Sequence, residues 1–120
     1  MSTLKADTIQ STSGGAATLT KQSAAKVWAI SNAGAAAPAS FNLTSITDNG
    51  TGDYTFTIAS AMDSANYAHP IGTSLVDGGA GLGVSITSKA AGSLRIGTIR
   101  DDSTKTDCTY ISLSILGDLA

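Results

Sequence analysis

Ser40-Phe41-Asn42-Leu43-Thr44-Ser45-Ile46-Thr47-Asp48-Asn49-Gly50-Thr51-Gly52-Asp53-Tyr54-Thr55-Phe56-Thr57-Ile58 decides the fold class. Two alternating segments rich in Ile, Phe, Tyr and Thr flank a turn from Asp48 to Gly52 that contains Asn-Gly. β-branched and aromatic residues suit a pleated, half-buried strand, and Asn and Gly tolerate the positive φ of a tight hairpin turn. In the second segment Tyr54, Phe56 and Ile58 share one face and Thr55 and Thr57 the other, which predicts a half-buried antiparallel strand whose aromatic face packs the core.

Composition extends that reading to the whole chain. The 120 residues suffice for one domain, and only 13% are charged against about 25% in an average soluble domain. All nine acidic residues are Asp, a turn and cap residue, and Glu is absent. Ser and Thr exceed a quarter of the chain and Gly reaches 13, so the class expected is all-β. Leu, Ile, Val and Phe make up about a fifth, close to the level at which independent folding fails, which predicts a thin core and association with other copies or a larger assembly. The net charge of -2 and pI of about 4.9, with seven scattered basic residues, disfavour nucleic-acid binding. No apolar stretch reaches spanning length, so no membrane insertion is expected. The start, Met1 to Asp7, lacks the apolar stretch of a secretory signal, which predicts synthesis in a cytoplasm. Cys108 is the single cysteine, expected to be a small packed residue.

Residues 1–22 differ from the rest. A short alternating piece, Leu4 to Ile9, precedes Ser13-Gly14-Gly15 and a Thr-rich piece, which reads as an extended arm with a joint at the two glycines. Residues 23–120 read as the folded domain. Strand signals recur at Lys26–Ser31, in the two arms of the hairpin, at Tyr67–Ile71, Val84–Thr87, Ser93–Ile99 and Thr109–Leu116. In Tyr67–Ile71, Pro70 argues for an edge or a strand end. In the last of these strands, Ile111, Leu113 and Ile115 face one way. The architecture expected is an antiparallel sandwich of about seven strands, jelly-roll-like, or a small barrel, preceded by the arm.

Catalytic chemistry finds little to work with. His69 is the sole histidine and precedes Pro70, a turn or surface setting, and no Gly-x-Ser-x-Gly elbow accompanies it. Asp101 and Asp102 are adjacent and read as solvated loop charge. One Cys and one His are too few for a zinc site, and Asp48 to Asp53 lacks the alternating oxygen ligands of a calcium loop. Gly78 to Gly83 matches neither the dinucleotide fingerprint nor the Walker pattern. Asn42-Leu43-Thr44 and Asn49-Gly50-Thr51 fit the glycosylation sequon but carry little weight without a signal peptide. The expectation is a non-enzyme without cofactor or metal.

Several segments resemble one family. Ser2 to Gln10 followed by Ser-Gly-Gly resembles the start of many short tail-fibre proteins of bacteriophages, marine ones especially. Lys26-Val27-Trp28 resembles the Lys-Ala-Trp that opens their β-domain, and Phe41 to Tyr54 with Ala61 to Tyr67 is the nearest stretch, including Thr-Asp-Asn-Gly-Thr-Gly-Asp-Tyr. The final Ser-Ile-Leu-Gly-Asp is similar as well. The chain departs at Asn32 to Ala37, where the family usually carries Asn-Gly-Thr-Gly, and in the Asp77–Gly83 and Asp101–Asp107 loops. The resemblance implies a virion structural protein, a homotrimer whose arm docks on other virion proteins through Leu4, Lys5, Thr8 and Ile9. Its divergent loops, with Asp77, Gly79, Leu82, Asp101, Asp102 and Lys105, would face a host surface glycan or protein. At this short length a capsid-bound head fibre or decoration protein is a serious alternative. A lectin-like module or a polysaccharide hydrolase is a more distant alternative.

Overall fold

The computed structural model of the chain describes residues 10–14, 25–32, 34–74 and 82–120. Most of the predicted arm and the glycine-rich part of the Asp77–Gly83 loop fall outside them. Among the described residues there are eight strands: β1 (Ala25–Asn32), β2 (Ala39–Phe41), β3 (Leu43–Gly50), β4 (Asp53–Ile58), β5 (Ile71–Ser74), β6 (Gly83–Ala90), β7 (Ser93–Ile99) and β8 (Tyr110–Leu116). They form two antiparallel four-stranded sheets, sheet A in the order β2-β1-β8-β5 and sheet B in the order β3-β4-β7-β6. One core cluster joins them: Val27, Ala29, Ile111, Leu113 and Ile115 from sheet A meet Tyr54, Phe56, Ile58, Leu94 and Ile96 from sheet B. This is a β-sandwich, with one strand more than the sequence pattern suggests.

The extra strand lies in the stretch that decides the fold. Its first segment reads as one strand, but the chain changes sheets inside it, leaving β2 on sheet A and starting β3 on sheet B. Asn42 makes the corner, at φ 55, a left-handed conformation that Asn tolerates better than most residues. Its side chain fastens the corner from both ends. Nδ2 donates to the Lys26 and Ser60 carbonyls, both at 3.1 Å, and Oδ1 accepts from the Ser60 N–H at 2.7 Å. Asn42→Ala keeps the unfavourable φ and loses these bonds, so a loss of about 2–3 kcal/mol is expected in urea unfolding at about 1 kcal/mol per bond. Asn42→Gly, which relieves the φ but not the bonds, should fall between the two.

The hairpin is tighter than the sequence suggests. Pairing continues through a bulge to Gly50↔Asp53, so only Thr51 and Gly52 lie between the strands. Gly50, at φ 127, receives the turn, and its N–H donates to Asp48 Oδ1 at 2.9 Å. The alternation in β4 is as read: Tyr54 and Phe56 are fully buried and Ile58 nearly so, while Thr55 and Thr57 stay half-exposed. The Tyr67–Ile71 strand is a correction. Only Ala68 bridges there, to Leu116, and β5 begins at Ile71, directly after Pro70. Proline has no N–H to give a ladder, and Pro70 joins β8 only through its carbonyl, which accepts from the Ser114 N–H at 3.1 Å.

The pairings give the sandwich two distinct ends. Ala25 pairs with Leu116 at one end of sheet A, and Asn32 and Ser74 flank Tyr110 at the other. On sheet B, Leu43↔Ile58 and Ala90↔Ser93 mark one end, Gly50↔Asp53 and Gly83↔Ile99 the other. The bond from Asn42 to Lys26 aligns the first of these with the Ala25 end, and that from Thr73 Oγ1 to the Leu82 carbonyl (3.0 Å) aligns the second with the Asn32 end. Strands of eight residues separate the two by about 25 Å. Segment 61–69 closes the Ala25 end. Met62 and Tyr67 are buried there, Tyr67 Oη lies within hydrogen-bonding distance of the Ala90 and Ser93 carbonyls, and Lys89 Nζ donates to the Tyr67 carbonyl at 2.7 Å.

Candidate functional site

The Asn32 end gathers the β3–β4 turn, Leu82 and the whole β7–β8 connection. That connection is an ordered structure rather than a free loop. The Arg100 N–H donates to the Thr104 carbonyl and the Ser103 N–H to the Arg100 carbonyl, with Ser103 at φ 66. The Asp102 carboxylate accepts from the Thr104 N–H at 2.9 Å, which holds its pKa below the usual value. Further along, the Thr106 N–H donates to the Thr98 carbonyl and Thr98 Oγ1 to the Thr106 carbonyl. Asp107 Oδ1 then accepts from the Gly52 N–H at 2.7 Å and from Tyr54 Oη at 3.1 Å, tying the connection to the hairpin. Burial first, then the Asp107 carboxylate, pushes the Tyr54 phenol above its ordinary range, so it remains the donor. Next to it Cys108 is buried, which pushes its thiol up and away from the reactive thiolate.

A charge cluster sits beside this end on the outer face of sheet B. Asp53, 6% exposed, accepts a two-pronged bond from Arg95 (Nε 2.8 Å, Nη2 3.0 Å) and one from Lys105 Nζ at 2.9 Å. Arg95 chiefly, then Lys105, holds the Asp53 carboxyl well below the usual carboxylate range, outweighing the opposing effect of burial. A depressed native pKa gives a stabilisation complete above the unfolded value of about 3.9 and lost as pH falls below it. Both cations are half-exposed, so solvent screening keeps the effect small. Asp53→Asn is expected to cost about 1 kcal/mol at neutral pH, and its difference from wild type should shrink in unfolding curves taken below pH 4.

The sequence-predicted residues divide accordingly. Leu4, Lys5, Thr8, Ile9, Asp77 and Gly79 lie outside the described residues. Leu82 is half-buried and packs against the core, with its carbonyl held by Thr73. Asp101 and Asp102 are exposed at the tip of the β7–β8 connection, and Lys105 is fastened to Asp53. His69 stands edge-on to Tyr67, with ring centroids 6.2 Å apart, at the opposite end of the sandwich. Among the described residues no pocket opens and no metal-ligating group of three converges.

Sequence reasoning missed one surface. Trp28 and Ile30 of β1 point outward from sheet A, beside Phe41 of β2 (register Trp28↔Phe41), and Tyr110 of β8 extends the face. These four are 38–51% exposed. Around them lie Ala39, Gly72, Ser74, Ser112 and Ser114, none of them charged. A signal existed in Lys26–Ser31, where both alternating sets are apolar: Val27 and Ala29 inward, Trp28 and Ile30 outward. Comparisons with family models, with curated proteins and with solved structures find no match for this chain.

Proposed function

We propose that the chain is a structural subunit of a bacteriophage particle, a homotrimeric tail-fibre-type protein that projects outward and contacts the host surface. The observation that carries this reading is the polarity of the sandwich. Residues 1–24, which contain the segment resembling a phage attachment arm, lead into β1 at Ala25, and the β7–β8 connection with Asp101 and Asp102 lies at the opposite end. A projecting subunit needs that arrangement, with attachment at one end and exposed variable loops at the other. Capsid attachment as a head fibre or decoration protein uses the same polarity, and copy number separates the two: hundreds per particle for the head, a few tens or fewer for the tail.

The test is deletion of residues 1–22 in the phage. Loss of the protein from purified particles, with the sandwich still folded when expressed alone, is the expected result. Undiminished incorporation contradicts the reading. Receptor contact is tested separately by Asp101→Ala, an exposed change at the tip of the connection that should lower adsorption to host cells while leaving unfolding within about 0.5 kcal/mol of wild type.

A further inference from the structure

We propose that the outer face of sheet A, built on Trp28, Ile30, Phe41 and Tyr110, is the surface through which copies of this chain pack against one another. The inference rests on the reading of the chain as an oligomeric subunit and assigns that oligomer its interface.

Three observations lead there. The first is area. At 38–51% exposure, and with about 200 Å² to each large side chain, the four leave roughly 350 Å² of mainly apolar surface in water. A standard interface covers about 800 Å² per partner and is about 65% apolar in homo-oligomers, so these residues supply most of the roughly 500 Å² required.

The second is charge. The outward positions of sheet A around the patch are Asn32, Ala39, Gly72, Ser74, Ser112 and Ser114. A second copy meets this face without like-charge repulsion, and no charged group is stripped of water. Asn32, the one amide of this face, has its oxygen committed to the Gly34 and Ala36 N–H groups, at 3.0 and 3.1 Å. The outer face of sheet B, by contrast, carries the Asp53–Arg95–Lys105 cluster.

The third is the state of the edges. β2 has three residues and β5 four, while β3 and β6 are bulged, at Leu43/Ser45, Asp48/Gly50 and Ile86/Ser88. Short and bulged edges resist strand-to-strand pairing between copies. Association is therefore directed to a face.

Trp28 is the only tryptophan and lies within the proposed contact, so its fluorescence reports directly on it. The full chain should sediment as a trimer at micromolar concentration, with blue-shifted Trp28 emission poorly quenched by acrylamide. Ile30→Lys should sediment at one-third of that mass, with red-shifted, readily quenched emission and an unchanged far-UV circular dichroism spectrum. Should Ile30→Lys fail to fold, Tyr110→Ser, the milder change on the most exposed of the four, should weaken the trimer on dilution. Thr47→Lys, on the outer face of sheet B, should remain trimeric. A trimer that survives both sheet A changes overturns the inference, as does a trimer broken by Thr47→Lys. A chain that is monomeric throughout, with Trp28 protected only by added bacterial surface polysaccharide, also overturns it and gives the face to a glycan. Particle incorporation is a separate measurement, so virion membership can fail while this interface stands, and the reverse.

Discussion

Phe56→Ala is expected to unfold most of the protein at 37 °C. Phe56 is fully buried, paired laterally with Ile46 and Leu94 in sheet B, and belongs to the cluster shared with sheet A. Truncating a buried Phe costs about 3–5 kcal/mol, the transfer of the ring plus the cavity it leaves. A domain of this size has a total stability of about 5–15 kcal/mol, and a core in which large aliphatics are scarce belongs at the low end. Urea unfolding should show a much lower midpoint at an unchanged slope. Thr57→Ala, one residue along and on the outer face, should change stability by less than about 0.5 kcal/mol. A Phe56→Ala loss below about 1 kcal/mol would mean that the two sheets do not close on this ring.

Gly52→Ala should open the β7–β8 connection. Gly52 has φ 62, and a Cβ there would stand 2.7 Å from both the Thr106 nitrogen and the Thr98 oxygen. Both atoms are backbone, so neither can swing aside as a side chain would. The Thr106 strap must move off the hairpin, and it takes with it the Thr98–Thr106 bonds and the Asp107 bonds to residue 52 and Tyr54. A left-handed φ costs an alanine about 1 kcal/mol and each of these four lost bonds about 1 kcal/mol, so a total of about 5 kcal/mol is expected with all four lost. Hydrogen exchange locates it: the amides of residue 52 and Thr106, which donate to Asp107 and to the Thr98 carbonyl, should lose protection before those of Phe56 and Leu94. If the Asp101–Asp102 tip contacts the host, adsorption should fall in the same variant. Uniform loss of protection across both sheets would contradict a local opening.

These effects mark how far the sequence could be read. Alternation placed β4, β7 and β8 almost to the residue, because Tyr54, Phe56, Leu94, Ile96, Ile111, Leu113 and Ile115 all follow a period of two with one buried face. The split between β2 and β3 was not legible, since Phe41-Asn42-Leu43 continues the alternation and only the φ of Asn42 ends it. The Asp53 cluster joins residues 42 and 52 positions apart, and nothing local pairs them; the β4–β7 register and the folded-back connection do. Lys105, read as a loop charge facing outward, is committed to that cluster. The sheet A face lay in plain view in Lys26–Ser31, where apolar residues on both sides of one strand require something to cover the second side.

The same topology gives the proposal its geometry. A subunit held at Ala25 presents Asp101 and Asp102 about 25 Å away along its strands, with the uncharged face of sheet A running between the two ends. Three copies joined through that face would form a short stalk-like knob with three loop tips together at one end.

Averaged electron cryomicroscopy of purified phage particles tests this account most directly. It predicts threefold knobs of this sandwich with the Ala25 end toward the particle, the sheet A faces at the threefold axis and the Asp101–Asp102 tips outermost. Particles that lack the chain, or knobs held to the particle by the β7–β8 connection, would contradict it.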